Sequence, residues 1–413
     1  MRVLLLAAFL LSVLGGCLGD EPADPAGEGG VPRPDGYRVP DSTQGPDTIT
    51  GMQWLSQPNS NSTTGIWVTD GLAYLSGGVG LRIVDARDPE HPVVLAQDVE
   101  DTDGTRDVQA FVHPNGRHYA VMAKGGIGAV TLVDVEDPTA PFVVSEADLP
   151  GSHTIMVIPG TAVVYNSRSI STHVPGAGET GQIDLIDFTD PADPVVHLYA
   201  FPAVAMTIGG TPRPVVSTTC HEMTANAELE RAYCAGVTDT MVWDVSDPLD
   251  PVILQVIDYP LVNIHHSVYD AHNGTMLIIG DEFVGVLAPT PACSDTVPYP
   301  TSAVWFFDIS DLALPKPLGY FQIDYDALAY SVETGGPRYC STHLGDVLHG
   351  RDLLALGWYS AGTILIDFSD PTAPVAVDHY RADGATSTWE ARFMDGHVYT
   401  GDTQRGMDIL RLV

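Results

Sequence analysis

Four stretches of this chain place histidine at the start of a strand-like run: GSHTIMVI (151–158), TCHEMTAN (219–226), NIHHSVYD (263–270) and STHLGDVL (341–348). They carry His153, His221, the pair His265 and His266, and His343. Neutral imidazole ligates zinc, copper or iron and brings no charge to repel its neighbours. The third stretch runs on to Asp281 and Glu282. Glu282 is suited to completing a coordination sphere, to orienting a ligand histidine through its other ring nitrogen, or to acting as a general acid or base. One histidine at a strand end is usually a hydrogen-bonded rim residue. The chemistry therefore depends on whether the fold brings these histidines to one place.

The elements that must position them repeat. GLRIVDARDPEHPVVL (80–95), AVTLVDVEDPTAPFVV (129–144), QIDLIDFTDPADPVVH (182–197), TMVWDVSDPLDPVIL (240–254), AVWFFDISDLALPKPL (303–318) and GTILIDFSDPTAPVAV (362–377) are copies of one unit, and GMDILRLV (406–413) is a degenerate seventh. Each copy is a β-branched or aromatic strand, an Asp-Pro type turn and a second strand, and another strand pair precedes it, as in HTIMVIPGTAVVYNS (153–167). Four strands per unit and seven units predict an all-β fold, a seven-bladed β-propeller over residues 48–413. The last copy lacks a fourth strand, and TITGMQWLS (48–56) is the expected donor, closing the ring and protecting its edges. The first aspartate of each turn (Asp85, Asp134, Asp187, Asp244, Asp308 and Asp367) reads as structural, because an Asp in such a turn hydrogen-bonds local backbone amides.

The IVDARDPEHP and LIDFSDPTAP segments make the chain resemble the LVIVD-repeat family of exported bacterial and archaeal propellers, over roughly residues 48 to 413. The resemblance implies the fold and leaves function open, since propellers host many unrelated activities.

In propeller register, the inner strands of the seven blades begin at Thr64-Gly65, Arg106-Asp107, His153, His221, His265-His266, His343 and Trp389-Glu390. Four histidine positions out of seven exceed what random placement of 14 histidines in 413 residues supplies. Strand alternation lets one of the adjacent pair face the axis; His266 is assigned there, and His265 to the rim or behind the ligands. Two readings stand: a metal site holding copper, iron or zinc, and a ring of histidines hydrogen-bonded to one another, to tyrosine and to water. The loops between second and third strands open on the same face and carry Lys124, Arg168, Asp239, Asp281 with Glu282, Tyr359, and Asp402 with Arg405. His272, His349 and His397 fall toward the opposite face and read as surface residues.

No Gly-rich phosphate loop, nucleophile elbow or HExxH motif occurs, so no motif names a reaction. Asp101-x-Asp103-Gly104 lacks the downstream acidic ligand of a calcium loop and reads as an acidic turn. If the protein is an enzyme, it is expected to be a metal-dependent oxidoreductase or hydrolase acting on a small molecule. Histidine-lined propellers of the selenium-binding/methanethiol oxidase group look similar in ligand type, without sequence match. The alternative is a non-catalytic surface module that binds a protein or glycan, with insertions at 167–181, 203–217 and 285–303 shaping its face.

The ends and the composition bound the setting. Residues 1–16 read as a signal peptide, because the apolar run Val3 to Leu14 is too short to span a bilayer and small residues follow it. Leu14-Gly15-Gly16-Cys17 resembles the lipobox of bacterial-type lipoproteins, which implies lipid attachment at Cys17 and a membrane partner through that anchor. Residues 17–47 form an acidic Gly/Pro tether, and Leu18 favours outer-membrane or cell-surface sorting. The remaining cysteines are Cys220, Cys234, Cys293 and Cys340. Their even number in an exported chain favours two disulfides, Cys220–Cys234 and Cys293–Cys340 being the preferred pairing of three, with thiolate ligation by Cys220 and Cys340 as the rival. A formal net charge of −35, with Lys124 and Lys316 the only lysines, excludes a nucleic-acid partner on electrostatic grounds.

Overall fold

A computed structural model describes residues 48–59, 61–125, 128–168, 181–202, 206–208, 211–213, 219–236, 239–258, 265–282, 302–323, 341–382 and 386–413. Cys17, Cys293, Cys340, the signal segment and most of the three insertions lie outside these residues, as do the side chains of His265 and His266.

Seven four-stranded antiparallel sheets form the blades. Blade one is β2 (Ile66–Thr69), β3 (Leu72–Leu75), β4 (Arg82–Asp85) and β5 (Val93–Ala96); blade two is β6 (Thr105–Val112), β7 (His118–Lys124), β8 (Ala129–Asp134) and β9 (Phe142–Asp148). Blade three is β10 (Ile155–Val157), β11 (Val163–Asn166), β12 (Gln182–Asp187) and β13 (Val195–Ala200). A two-stranded hairpin, β14 (Met206–Ile208) and β15 (Thr211–Arg213), follows. Blade four is β16 (Cys220–Asn226), β17 (Arg231–Gly236), β18 (Thr240–Asp244) and β19 (Val252–Ile257). Blade five is β20 (His265–Ala271), β21 (Met276–Asp281), β22 (Val304–Asp308) and β23 (Lys316–Phe321). Blade six is β24 (Gly345–Leu348), β25 (Leu353–Gly357), β26 (Thr363–Asp367) and β27 (Val375–Tyr380). Blade seven is β28 (Thr388–Met394), β29 (His397–Asp402) and β30 (Gly406–Leu412), completed by the N-terminal β1 (Met52–Asn59).

The donor strand thus sits where the missing fourth strand required one, but it starts and ends a few residues later than the apolar pattern indicated. Met52 pairs with Leu412 and Asn59 with Met407, with register shifts after Trp54 and Ser56. The polar SQPN end is recruited because β30 offers unpaired backbone groups, a demand no local propensity expresses.

The core lies between blades. Seven apolar clusters each join two neighbouring blades, as where Tyr165 and Phe201 meet Trp243, Tyr233 meets Phe307, and Phe306 meets Trp358 and Phe368. Alternate residues of one strand serve alternate clusters: Leu132 packs toward blade three and Val133 toward blade one. Both faces of a middle strand are therefore dry, so RIVD, TLVD and ILID read as continuous rather than alternating apolar runs.

The repeated turn is an Asx turn followed by a second. Asp134 accepts the Glu136 N–H at 3.1 Å and Asp137 the Thr139 N–H at 2.9 Å; Asp367 and Asp370 do the same for Ser369 and Thr372, at 2.8 and 3.0 Å. The carbonyl of the second aspartate then accepts the N–H three residues on, as Asp137 does from Ala140. The pattern holds in all six full copies. These carboxylates are occupied in folding the chain back, as expected of a turn residue.

Candidate functional site

Each inner strand is interrupted near its start by a β-bulge. Arg106, His221, His266 and Trp389 are the extra residues where the ladder slips between Thr105 and Asp107, Cys220 and Glu222, His265 and Ser267, and Thr388 and Glu390. The same two-against-one pairing places Thr64-Gly65 opposite Ser76, His153-Thr154 opposite Ser167 and His343-Leu344 opposite Gly357. A bulge re-aims the side chain it carries. One backbone device thus sets a ring of Thr64, Arg106, His153, His221, His266, His343 and Trp389 at one end of the propeller.

The residues facing these bulges are all small: Ser76, Ala123, Ser167, Ala235, Gly280, Gly357 and Gly401. The neighbouring blade explains the restriction. A Cβ on Gly357 would lie 2.9 Å from the backbone carbonyl carbon of Trp389, and one on Gly401 would lie 3.0 Å from Ile66.

Side chains of five blades form a continuous arc at this mouth. The rings of His153 and His221 meet edge to face at 4.7 Å. His221 Nε2 lies 3.8 Å from Glu282 Oε2. The Tyr359 hydroxyl donates to Glu282 Oε1, and the Tyr359 ring stands 4.9 Å from His343 and 5.7 Å from Trp389. His343 and Trp389 are in ring contact at 4.1 Å. His343 Nδ1 lies 2.7 Å from the Trp389 carbonyl oxygen. Because a carbonyl only accepts, Nδ1 carries the proton and Nε2 the lone pair.

Tyr359 reaches this position at a conformational cost. Its φ is +41°, in the left-handed region that bulky side chains avoid, at about 1–3 kcal/mol. Two reciprocal backbone hydrogen bonds to Thr388, of 3.0 and 2.9 Å, hold it across the blade boundary.

Burial sets the charge states. It pushes His221 down to about 4, assisted by the charge of Arg106, and depresses His153 and His343 as well. Burial raises Glu282 to about 8, with the Tyr359 hydroxyl opposing and Asp281 reinforcing the shift. At neutral pH both His221 and Glu282 are therefore uncharged, and their approach is a neutral contact rather than an ion pair.

One residue past the bulge, inner-strand side chains stitch blade to blade. Asp107 accepts the Ile155 N–H at 2.9 Å and Glu390 accepts the Ile66 N–H at 2.7 Å, satisfying edge amides that no ladder reaches. Asp346 does the same for Phe393 at 3.0 Å. Glu390 also pairs with Arg392 at 2.5 Å, and the charge of the buried Glu222 acts on the same arginine. Sequence reasoning missed this group, although the bulge register already lists Asp107 and Glu390 beside the ring residues.

Several loop residues expected to enrich the mouth are engaged within their own blades. Lys124 pairs with Glu146 at 2.5 Å, Arg168 with Asp184, and Arg405 with Asp408 at 3.3 Å. Asp402 accepts the Ser387 N–H at 2.8 Å. Among the exterior histidines, His272 contacts Asp352 at 2.6 Å and His397 its own turn carbonyl at Asp395, 2.7 Å away. Cys220 and Cys234 form a disulfide spanning the His221 bulge, which excludes Cys220 as a thiolate ligand. Among the described residues, no three His, Cys, Asp or Glu side chains are close enough to hold one metal ion, and no helix is long and apolar enough to cross a membrane.

No family model matches this chain, and no curated protein matches it in sequence. Solved structures share its fold. The β-propeller domain of Myceliophteria thermophila Cps50 (Swd1) is 11% identical with a TM-score of 0.60, over 88% of this chain and all of that one. The structure of U3-55K is 10% identical with a TM-score of 0.55, over 90% of this chain and all of that one. At such identities the likeness concerns architecture alone.

Proposed function

We propose that the protein is an exported, lipid-anchored propeller whose channel mouth binds a transition metal, copper, iron or zinc, through His153, His221 and His343, with His266 at the fourth equivalent bulge. One observation carries this reading: imidazoles from three separate blades, those of His221 and His343 buried and that of His153 half-buried, sit at one register position and are held in the neutral, ligating form. His343 supports it further, because a ligand histidine commonly donates its other nitrogen to a carbonyl, as Nδ1 does here to Trp389. Ligation needs His153 and His221 to leave their present edge-to-face contact and close on one point with His343. A bound metal supplies Lewis-acid or redox chemistry at the mouth. Glu282, protonated at neutral pH, is placed to hold His221 in orientation or to hand a proton to a bound molecule. Export and anchoring rest on the apolar leader and Leu14 to Cys17.

The test is metal content of the purified protein beside a variant with His221, His266 and His343 changed to alanine, each after exposure to copper, iron and zinc in turn. The expected result is near-stoichiometric uptake of one metal that the folded variant lacks. No uptake by the parent overturns the metal reading and leaves the propeller as a binding module for a protein or glycan.

A further inference from the structure

Arg106 occupies the bulge of blade two, directly beside the blade that carries His153. The chain has 53 acidic and 18 basic residues, so cations find carboxylate partners readily. Arg87, Arg117, Arg168, Arg392, Arg405 and Arg411 all do so. Among the described residues the Arg106 guanidinium forms no ion pair and no hydrogen bond, and the side chain is exposed.

Its place is nevertheless built. The stem lies against Gly125, where an added Cβ would come within 2.5 Å of Arg106 Nε and 2.9 Å of its Cδ. A glycine in the loop after β7 thus makes the floor on which the arginine rests. The charge is felt by His153, His221 and His343 alike, which places it over the same mouth. A guanidinium offers a rigid fork of N–H donors that matches a carboxylate with two parallel hydrogen bonds.

We propose that Arg106 makes the mouth a receptor for a small monocarboxylate, clamped by the guanidinium while the rest of the molecule lies against the imidazoles of the mouth. A cation with no carboxylate partner among the described residues matches one negative charge. A dianion such as phosphate would leave a charge unneutralised in a strongly acidic protein. The inference rests on the mouth being the binding site, and it names the class of molecule bound there.

The test is calorimetric titration of the full protein with acetate and benzoate, with inorganic phosphate and methylammonium as contrasts, before and after metal loading. Arg106→Gln removes the fork, Arg106→Lys keeps the charge without it, and Gly125→Ala keeps the guanidinium but pushes it from its floor. The expected result is carboxylate binding that exceeds phosphate binding. It should weaken at least tenfold in Arg106→Gln and Gly125→Ala and less in Arg106→Lys, with circular dichroism unchanged. Equal carboxylate affinity in parent and Arg106→Gln, or no carboxylate binding in either, overturns the proposal even if metal is bound. Arginine-dependent carboxylate binding without metal uptake upholds it while the metal reading fails.

Discussion

The hydroxyl of Tyr359, on a loop of blade six, donates to Glu282, on a loop of blade five, so two blades share one buried hydrogen bond at the mouth. Each residue is abnormal by itself. Tyr359 holds a left-handed backbone, and Glu282 is a carboxyl in a dry site with its pKa pushed up to about 8. Strained and desolvated groups cluster at functional sites, which makes this pair the first to test.

Removing the hydroxyl tests that pair. Tyr359→Phe should cost roughly 1–3 kcal/mol, because a buried carboxyl loses its donor while the ring keeps its packing. It should also raise the Glu282 pKa further, since the hydroxyl now lowers it. Urea denaturation across pH 5 to 9 measures both effects.

Stability should fall as pH rises through the neutral range. Glu282 and Asp107 have folded-state values of about 8 and about 7, above their ordinary carboxylate values, so the folded protein binds more protons than the unfolded chain between those limits. The stabilisation is complete below pH 4 for these groups and lost as pH climbs toward 8. Glu282→Gln should flatten the upper part of that slope and leave the part belonging to Asp107. The histidines act oppositely: with His221 lowered to about 4, its contribution is full above pH 6.5 and disappears as pH falls toward 4.

Gly357→Ala should destabilise by about 1–3 kcal/mol, because the added methyl meets the Trp389 backbone, which cannot swing aside. Gly401→Ala meets only side-chain carbons, of Ile66 and Thr63, and should cost less. Thermal melts of the two variants separate the cases, and equal losses would contradict this account of the blade boundary.

The disulfide should matter to both stability and site. Cys220 and Cys234 are 14 residues apart, and closing a loop of that size is worth about 3 kcal/mol. Cys234→Ser should lower the unfolding midpoint and, by loosening the bulge next to Cys220, reduce the proposed metal uptake more than Asp370→Ala does. The latter removes only a turn acceptor far from the mouth.

Much of this was legible in the chain. The six turn copies announce the blades because each must reverse direction with the same two aspartates. The missing fourth strand of the last copy announces its N-terminal donor. His153, His221, His266 and His343 were visible as a set because a repeat converts sequence position into spatial position. The equivalent carboxylates Asp107, Glu222 and Glu390 were in the same register but easily passed over, since isolated acidic residues ordinarily face water.

The sequence by itself determined the number of blades, the ring closure and the register of the histidines, since these follow from periodic burial and turn chemistry that each segment carries locally. Only the tertiary structure decided that Tyr359 of blade six would complete the surroundings of Glu282 in blade five. It alone decided that Lys124 and Arg168 would be engaged within their blades, and that Arg106 would lie over Gly125 facing the imidazoles. Those outcomes depend on how neighbouring blades meet. A hydrogen bond between residues 77 apart, or an arginine that meets no carboxylate among the described residues, is fixed by distances that no single segment encodes.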